Sequence, residues 1–256
     1  MIPFHSAVPI GSLKKITQTM HDSISRVATG LKVMGGNDAG SQSMANSLNA
    51  SAAGFRAAES NNDAGISLLK LAESALLELN ALATRIKELG IADDLSTNTA
   101  TDTAALNSEA VAVSDTIDSI VTTLKYNGLR VLDTSAKNFN IGYNDAGNTH
   151  QITSTTGISA TNINDATNAD TSMDTTIGEI TQSLGALSGS MVALKAYQSV
   201  ATTTAAHLRQ AASNLQDTDF AEETAKLTKQ SLIKNYALAM VATANAEEME
   251  KLKLLA

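Results

Sequence analysis

The sequence predicts a mainly α fold, a long antiparallel coiled-coil helical rod formed by the N- and C-terminal segments, with a small β-hairpin region in the middle. Three observations predict it. Apolar residues recur at alternating three- and four-residue steps through much of the 256-residue chain, which is the spacing of helix seams. The only prolines, Pro3 and Pro9, stand near the start, so no later residue lacks the amide proton that a long helix needs. Apolar residues make up 43% of the chain but aromatics only 3%, without Trp; that composition fills thin aliphatic seams better than one thick globular core.

The first helix is expected to begin near Ser12, a suitable N-cap, and its stripe is Leu13, Ile16, Met20, Ile24, Val27 and Leu31. The run Met34-Gly35-Gly36-Asn37-Asp38 should break it, since each glycine costs about 1 kcal/mol of helix propensity. A second helical run resumes with Ala45, Leu48, Ala52 and Phe55 and continues past Gly65. There Leu68, Ala72, Ala75, Leu79, Leu82, Ile86 and Leu89 follow heptad steps. Ile66, Leu69, Leu76 and Leu77 widen the stripe, so this helix should touch more than one neighbour. Gly90 and the polar run 93–99 end it.

A return helix follows with Leu106, Ala110, Val113, Ile117, Ile120 and Leu124, stopped by the turn signal Asn127-Gly128. Residues 133–171 lose the helical period, and the alternation around Asn144-Asp145-Ala146-Gly147 reads as a β-hairpin. Helical stepping returns with Met173, Ile177, Ile180, Leu184, Leu187, Met191 and Leu194. It then weakens through Ala201, Ala205, Leu208, Ala212 and Leu215, with Gln198 interrupting the stripe. Gly178, Gly185 and Gly189 are expected to admit a close neighbouring backbone. After the polar joint 216–219 comes a last helix whose centre, 236–242, is apolar all round, a pattern that demands burial on every side. Copies of the chain itself are the expected cover.

The predicted rod core is therefore Leu68, Leu79, Leu82, Ile86, Leu106, Val113, Ile117, Ile120, Leu184, Leu187, Met191 and Leu194. The predicted packing residues of the terminal helices are Leu13, Ile16, Met20, Ile24 and Val27 with Leu232, Ile233, Leu238, Met240, Val241, Leu252 and Leu255.

Little in the chain points to chemistry. A net charge of −8 has the wrong sign for wrapping nucleic acid or lying on an anionic membrane. No stretch is long and apolar enough to span a bilayer, so membrane insertion is not expected. Zero cysteines exclude disulfides, thiolate metal sites and a cysteine nucleophile. His5, His21, His150 and His207 lack metal-ligand spacing, and no phosphate-cradling or nucleophile-elbow pattern occurs. The neighbouring carboxylates Asp93-Asp94, Glu222-Glu223 and Glu247-Glu248 do not share a helix face and read as solvated. No metal, cofactor or enzymatic activity is expected. The N-terminus shows no basic leader followed by an apolar run, so a cleavable secretory signal is not expected either.

Several segments, in order, resemble bacterial flagellin. SRVATGLKV (25–33) is similar to the family's ERLSSGLRIN-like turn, NDAG (37–40) to its DDAAG-like helix start, NDAGIS (62–67) to its NDGIS-like step, and RIKEL (85–89) to its RVREL-like segment. KYNGLRVL (125–132) resembles the FNGxxVL turn, NLQDTDFAEE (214–223) the IEDADYATE joint, and the chain finishes with KLL (253–255). The resemblance implies a structural subunit that polymerises into the flagellar filament after export, unfolded, through the flagellar type III channel. Residues 1–31 and 220–256 would pair as the inner-core coiled coil, and 32–219 would form the outer-core rod, with a short variable segment at about 133–171. It implies as partners further copies of the chain, the filament cap, hook–filament junction proteins and an export chaperone. The chaperone would bind along Phe220, Leu227, Leu232, Leu238 and Leu252.

The RVREL-like segment is the family's surface for an innate immune Toll-like receptor. Arg85, Glu88 and Leu89 match it, while the return helix carries Thr116 where that epitope usually has a glutamate. Pro3 and Pro9 replace the family's helix-compatible start. The alternatives are a hook–filament junction protein, a secreted helical translocator, and a filament protein with a peptidase in its variable region, which the absent HExxH and the shortness of that region disfavour.

Overall fold

The computed structural model describes residues 4–32, 39–133, 138–153 and 165–254. The expected break around Gly35-Gly36, the irregular run 154–164, Pro3 and Leu255 lie outside them. Among the described residues the order is α1 (Phe4–Thr29), α2 (Ala39–Asp93), α3 (Ala100–Thr123), β1 (Lys125–Tyr126), β2 (Leu129–Arg130), β3 (Asn138–Gly142), β4 (Thr149–Thr153), α4 (Ala169–Gln216) and α5 (Phe220–Leu254). The mainly α class and the central hairpin are as the sequence predicts, and a second, two-residue ladder joins them.

The chain forms two compact units, Ser51–His207 and the pair Met1–Ala50 with Leu208–Ala256. In Ser51–His207, α2, α3 and α4 share one hydrophobic core. Leu68, Leu79, Ile86, Ile117, Leu187 and Leu194 are buried in it, and Leu82, Leu106, Val113, Ile120, Leu184 and Met191 pack half-buried against it. Leu69, Leu76, Met173 and Ile180 add fully buried side chains. Where the aliphatic layer thins, Ala52, Ala58, Ala201 and Ala205 fill buried positions, and side chains without branches let helices approach closely. Leu77, expected to widen the seam, is exposed, so the stripe of α2 turns away from it.

Local chemistry sets the joints. Thr99 caps α3 in a reciprocal box: the Asp102 amide donates to Thr99 Oγ1 at 3.3 Å and the Thr99 amide to Asp102 Oδ2 at 2.9 Å. Such a box satisfies two amides that a helix start leaves free. Asn127 and Gly128 both take positive φ, the two-residue turn that closes an antiparallel ladder, and it delivers Val131 and Leu132 fully buried into the core. The β3–β4 hairpin runs in register from Asn138↔Thr153 to Gly142↔Thr149. It inserts Ile152 into the core, and its Tyr143 stacks on Tyr197 of α4 with ring centroids 4.3 Å apart. Gln198, where the α4 stripe lapses, donates through Nε2 to Asp63 Oδ1 at 2.5 Å, so the interruption is a polar tie between α4 and α2.

The glycines correct an expectation. Side chains added at Gly178, Gly185 or Gly189 would meet open space, because these three positions lie on the outer face of α4. The close approach falls at Gly90, where a methyl group would sit 2.7 Å from the Asp170 amide nitrogen and 3.2 Å from the Ala169 methyl. Gly90→Ala gains about 1 kcal/mol of helix propensity, but the clash is with backbone that cannot rotate away, and overpacking costs about 1–3 kcal/mol. Thermal unfolding followed by circular dichroism should therefore show Gly90→Ala less stable than the parent, and Gly178→Ala slightly more stable.

Candidate functional site

The second unit carries the surface that the composition of α5 singles out. α1 begins at Phe4, ahead of the expected start near Ser12. Pro9 lies within it, so one intrahelical hydrogen bond is forfeited near an end where amides already lack partners. α1 terminates at Gly30, whose φ of 72° is the left-handed cap conformation and whose amide donates to Arg26 O at 2.8 Å. The chain leaving α1 pairs with the joint ahead of α5. Lys32 N donates to Gln216 O at 2.6 Å and Thr218 N to Gly30 O at 2.9 Å, around the bridge Leu31↔Asp217. Asp219 then caps α5, accepting from the Ala221 and Glu222 amides at 2.9 and 3.2 Å. This joint sets the end of α1 beside the start of α5, so the two helices run antiparallel.

One ion pair fixes their register. Arg26 donates through Nε and Nη2 to Glu223 Oε1 at 2.9 and 2.6 Å, and Lys226 Nζ lies 3.7 Å from Glu223 Oε2. Glu223 is buried, only 5% exposed, which corrects the solvated reading of the Glu222-Glu223 pair; Glu222 remains exposed. Burial pushes the Glu223 carboxyl up, but hydrogen bonds from Ser23 and Arg26, with the Arg26 and Lys226 charges, outweigh it and hold the group below its ordinary value.

The seam that follows is weakly apolar. On α1 it is formed by half-buried Leu13, Ile16, Met20 and Val27 with buried Ser23; on α5 it runs through Glu223, Leu227, Gln230, Lys234, Ala237, Val241 and Ala244. The α5 positions keep heptad steps while carrying mostly small or polar residues. Among the described residues of α1 and α5, Ser23 and Glu223 alone are buried. No described apolar side chain in this helix pair is fully removed from water.

The large apolar residues of α5 point elsewhere. Leu232, Tyr236 and Met240 form one stripe at four-residue steps and are 55%, 73% and 68% exposed, with Ile233 beside them. Leu238, Phe220 and Met249 are exposed as well, as is Ile24 on α1. The side chain of Leu252 lies outside the described residues. Val241 is the one member of the predicted set on α5 that meets the seam half-buried.

The RIKEL segment belongs to the other unit. Arg85 Nε and Nη2 donate to Glu109 Oε1 at 2.9 and 2.6 Å, and Nη1 donates to Glu88 Oε2 at 3.2 Å. The return helix thus presents a glutamate to Arg85 at position 109, whereas Thr116 stays exposed and bonds its own helix through Ala112 O. Leu89 is only 3% exposed and lies in the core, so of the three residues Arg85 and Glu88 reach the surface. Ile91 and Leu95 line an open groove alongside, with Glu109 on its wall.

Among the described residues no group of His, Asp or Glu could hold a metal ion, and no helix is long and apolar enough to cross a membrane.

A helix pair with no fully buried apolar side chain among its described residues and apolar side chains turned outward is the pattern of a structural protein, not of a catalytic pocket. The profile of the bacterial flagellin N-terminal helical region matches residues 10–137. The chain is 29% identical to a flagellin of Halalkalibacterium halodurans over 251 residues, covering 91% of this chain and 90% of that one. It is 26% identical to a flagellin of Bacillus subtilis over 299 aligned positions, covering 98% of each. The crystal structure of Bacillus cereus flagellin matches at 24% identity and a TM-score of 0.39, over 65% of this chain and 93% of that one. The chain belongs to the bacterial flagellin family. It is a structural subunit that polymerises into the extracellular flagellar filament that drives motility.

The ion pair makes a pH-dependent prediction. A carboxyl whose pKa is depressed in the folded state contributes fully above the ordinary glutamate pKa of about 4.3 and loses its contribution as pH falls through the lowered value. Filaments of Glu223→Gln should melt several degrees below the parent at pH 7, the gap closing below about pH 4. Filament melting by light scattering across pH is the measurement, and a gap independent of pH would mean that the Glu223 charge is not what stabilises the joint.

Proposed function

We propose that α1 and α5 are the inner-core coiled coil of the filament, with residues 1–31 and 220–256 assigned to it and 32–219 to the outer-core rod. The observation that carries this is the outward stripe Leu232, Tyr236 and Met240 on a helix pair with no fully buried apolar side chain among its described residues. Ordering a residue costs about 1–2 kcal/mol, and fully burying a Leu or Ile side chain returns about 1.5–3 kcal/mol. The intramolecular seam, made of half-buried contacts, falls short of that requirement. Neighbouring copies supply the missing burial, so the terminal segments order as subunits join. The assembly is head-to-tail and does not close, which is how one repeated contact makes a helical filament.

On this reading the protein acts by assembly and not by catalysis. Its unassembled α5, with Phe220, Leu232 and Leu238 exposed and Leu227 half-buried, is the surface for the export chaperone. The filament cap and hook–filament junction proteins meet the same terminal helices at the filament ends. Arg85, Glu88 and Glu109, tied together beside the Ile91–Leu95 groove, are the proposed immune-receptor contact.

Leu232→Asp and Tyr236→Asp place a charge where assembly would bury it, at a cost of several kcal/mol. Each should raise the critical concentration for filament formation by at least about a hundredfold, and deletion of 220–256 should abolish filaments, while α2–α4 keep their helical circular dichroism. Negative-stain microscopy of concentrated protein checks this; normal filaments from either charged variant would remove the inner-core assignment of α5.

A further inference from the structure

The chain has eight methionines and no cysteine, so thioethers are its only oxidisable sulfur. Their environments differ sharply. Met173 is 1% exposed in the core of α2–α4, Met191 packs half-buried against that core, and Met20 is half-buried in the α1–α5 seam. Met240 stands open in the middle of the apolar stripe of α5, four residues after Tyr236. Met44 on α2 and Met249, nine residues beyond Met240 on α5, are also exposed, and neither belongs to the Leu232–Tyr236–Met240 stripe.

We propose that Met240 is an oxidation site that switches assembly: in the free subunit its sulfur is open to peroxide-class oxidants, and the sulfoxide blocks filament growth. This rests on the assignment of the α5 stripe as the surface buried between copies. In the chemical step, the sulfur lone pair attacks one oxygen of hydrogen peroxide and an S–O bond forms as the O–O bond breaks. The departing hydroxide takes up the proton from the transferred oxygen and leaves as water. Sulfur is oxidised by two electrons and the peroxide is reduced by two. The product is a strongly polar S–O dipole in place of a flexible apolar group. In the free subunit water solvates that dipole at little cost. In the assembled stripe it must be buried beside Leu232 and the apolar groups that cover it, where the Tyr236 hydroxyl is the one nearby donor of the stripe and cannot replace the full hydration of the free subunit.

The site is also self-protecting. Once the stripe is covered, the oxidant no longer reaches Met240, so only the unassembled pool is sensitive. A sulfoxide reductase acting on free subunits restores assembly competence, because this rung of methionine oxidation is reversible.

The test uses the full chain as monomer and as filament, each exposed to the same hydrogen peroxide dose and mapped by peptide mass spectrometry. In the monomer, Met240 and Met44 should convert together while Met173 stays reduced. In filaments, conversion of Met240 should fall at least about tenfold relative to Met44, as expected for a buried thioether. Oxidised monomer should need about ten to a hundred times the concentration to elongate filament seeds, the range expected for burying an unpaired polar group, and reductase treatment should reverse this.

Met240→Leu and Met240→Ile keep an apolar side chain without the thioether, so whatever critical concentration each shows untreated, peroxide should not raise it further. If such a variant loses assembly as fully as the parent, or if Met240 stays reduced in the monomer while Met44 converts, the proposal is overturned. Equal conversion of Met240 in monomer and filament, with normal elongation by the oxidised chain, overturns it too. Failure of the untreated parent to form filaments strikes the filament assignment of α5 instead, and is separated from the above by that control.

Discussion

The ion pair between Arg26 and Glu223 is the interaction on which the terminal unit depends, because two helices far apart in the chain have few other means of finding one register. A heptad seam of small and polar residues tolerates slippage; a guanidinium that donates twice to one carboxylate oxygen does not. Gly30 turns the chain out of α1, the Gln216–Thr218 strip bonds back to it, and Asp219 starts α5 in the right place. From that fixed point both helices carry a half-buried face, Leu13, Ile16, Met20 and Val27 on α1 and Leu227, Ala237 and Val241 on α5. Because the register is set at the joint, the seam itself can be weak, and the bulky residues of α5 are free to face outward.

The two units solve the burial problem in different ways. Ser51–His207 closes a core within one chain, with Leu69, Leu76, Leu79, Ile86, Met173, Ile180, Leu187 and Leu194 taken fully out of water. The pair of terminal helices has no fully buried apolar side chain among its described residues. On the proposed inner-core assignment this division has a use: one part folds without partners, and the other stays unfinished until it meets the growing end. A stronger α1–α5 seam would favour the isolated subunit, and a weaker joint would lose the register that makes every copy equivalent.

Much of this was legible in the sequence wherever a single periodic signal determined the outcome. The steps from Leu68 to Leu89 place a helix and its buried face together, and Asn144 to Gly147 mark a hairpin because few other residues accept that turn. The less legible features depend on rotation or on distant partners. Gly178, Gly185 and Gly189 look like close-contact sites, yet only the azimuth of α4 shows that they face outward. Leu77 sits beside the core stripe of α2 and still points to solvent. Glu223 reads as a surface acid because its partner lies 197 residues away, and Glu109 is paired with Arg85 only through the α2–α3 hairpin. In the centre of α5, 236–242, the apolar signal is strong on every side, so hydropathy cannot say which of those residues meet α1. The actual seam, through Gln230, Lys234 and Ala237, carries no apolar signature.

On the proposed assignment the terminal helices lack the burial to hold themselves together and acquire it from neighbouring copies. Amide hydrogen exchange on monomer and filament under the same conditions measures this most directly. Residues 12–29 and 220–247 should exchange rapidly in the monomer and become protected by orders of magnitude in the filament, while residues 68–89 and 180–194 are protected in both. Equal, strong protection of 12–29 and 220–247 in the free monomer would contradict the account, because the pair would then be stable on its own seam.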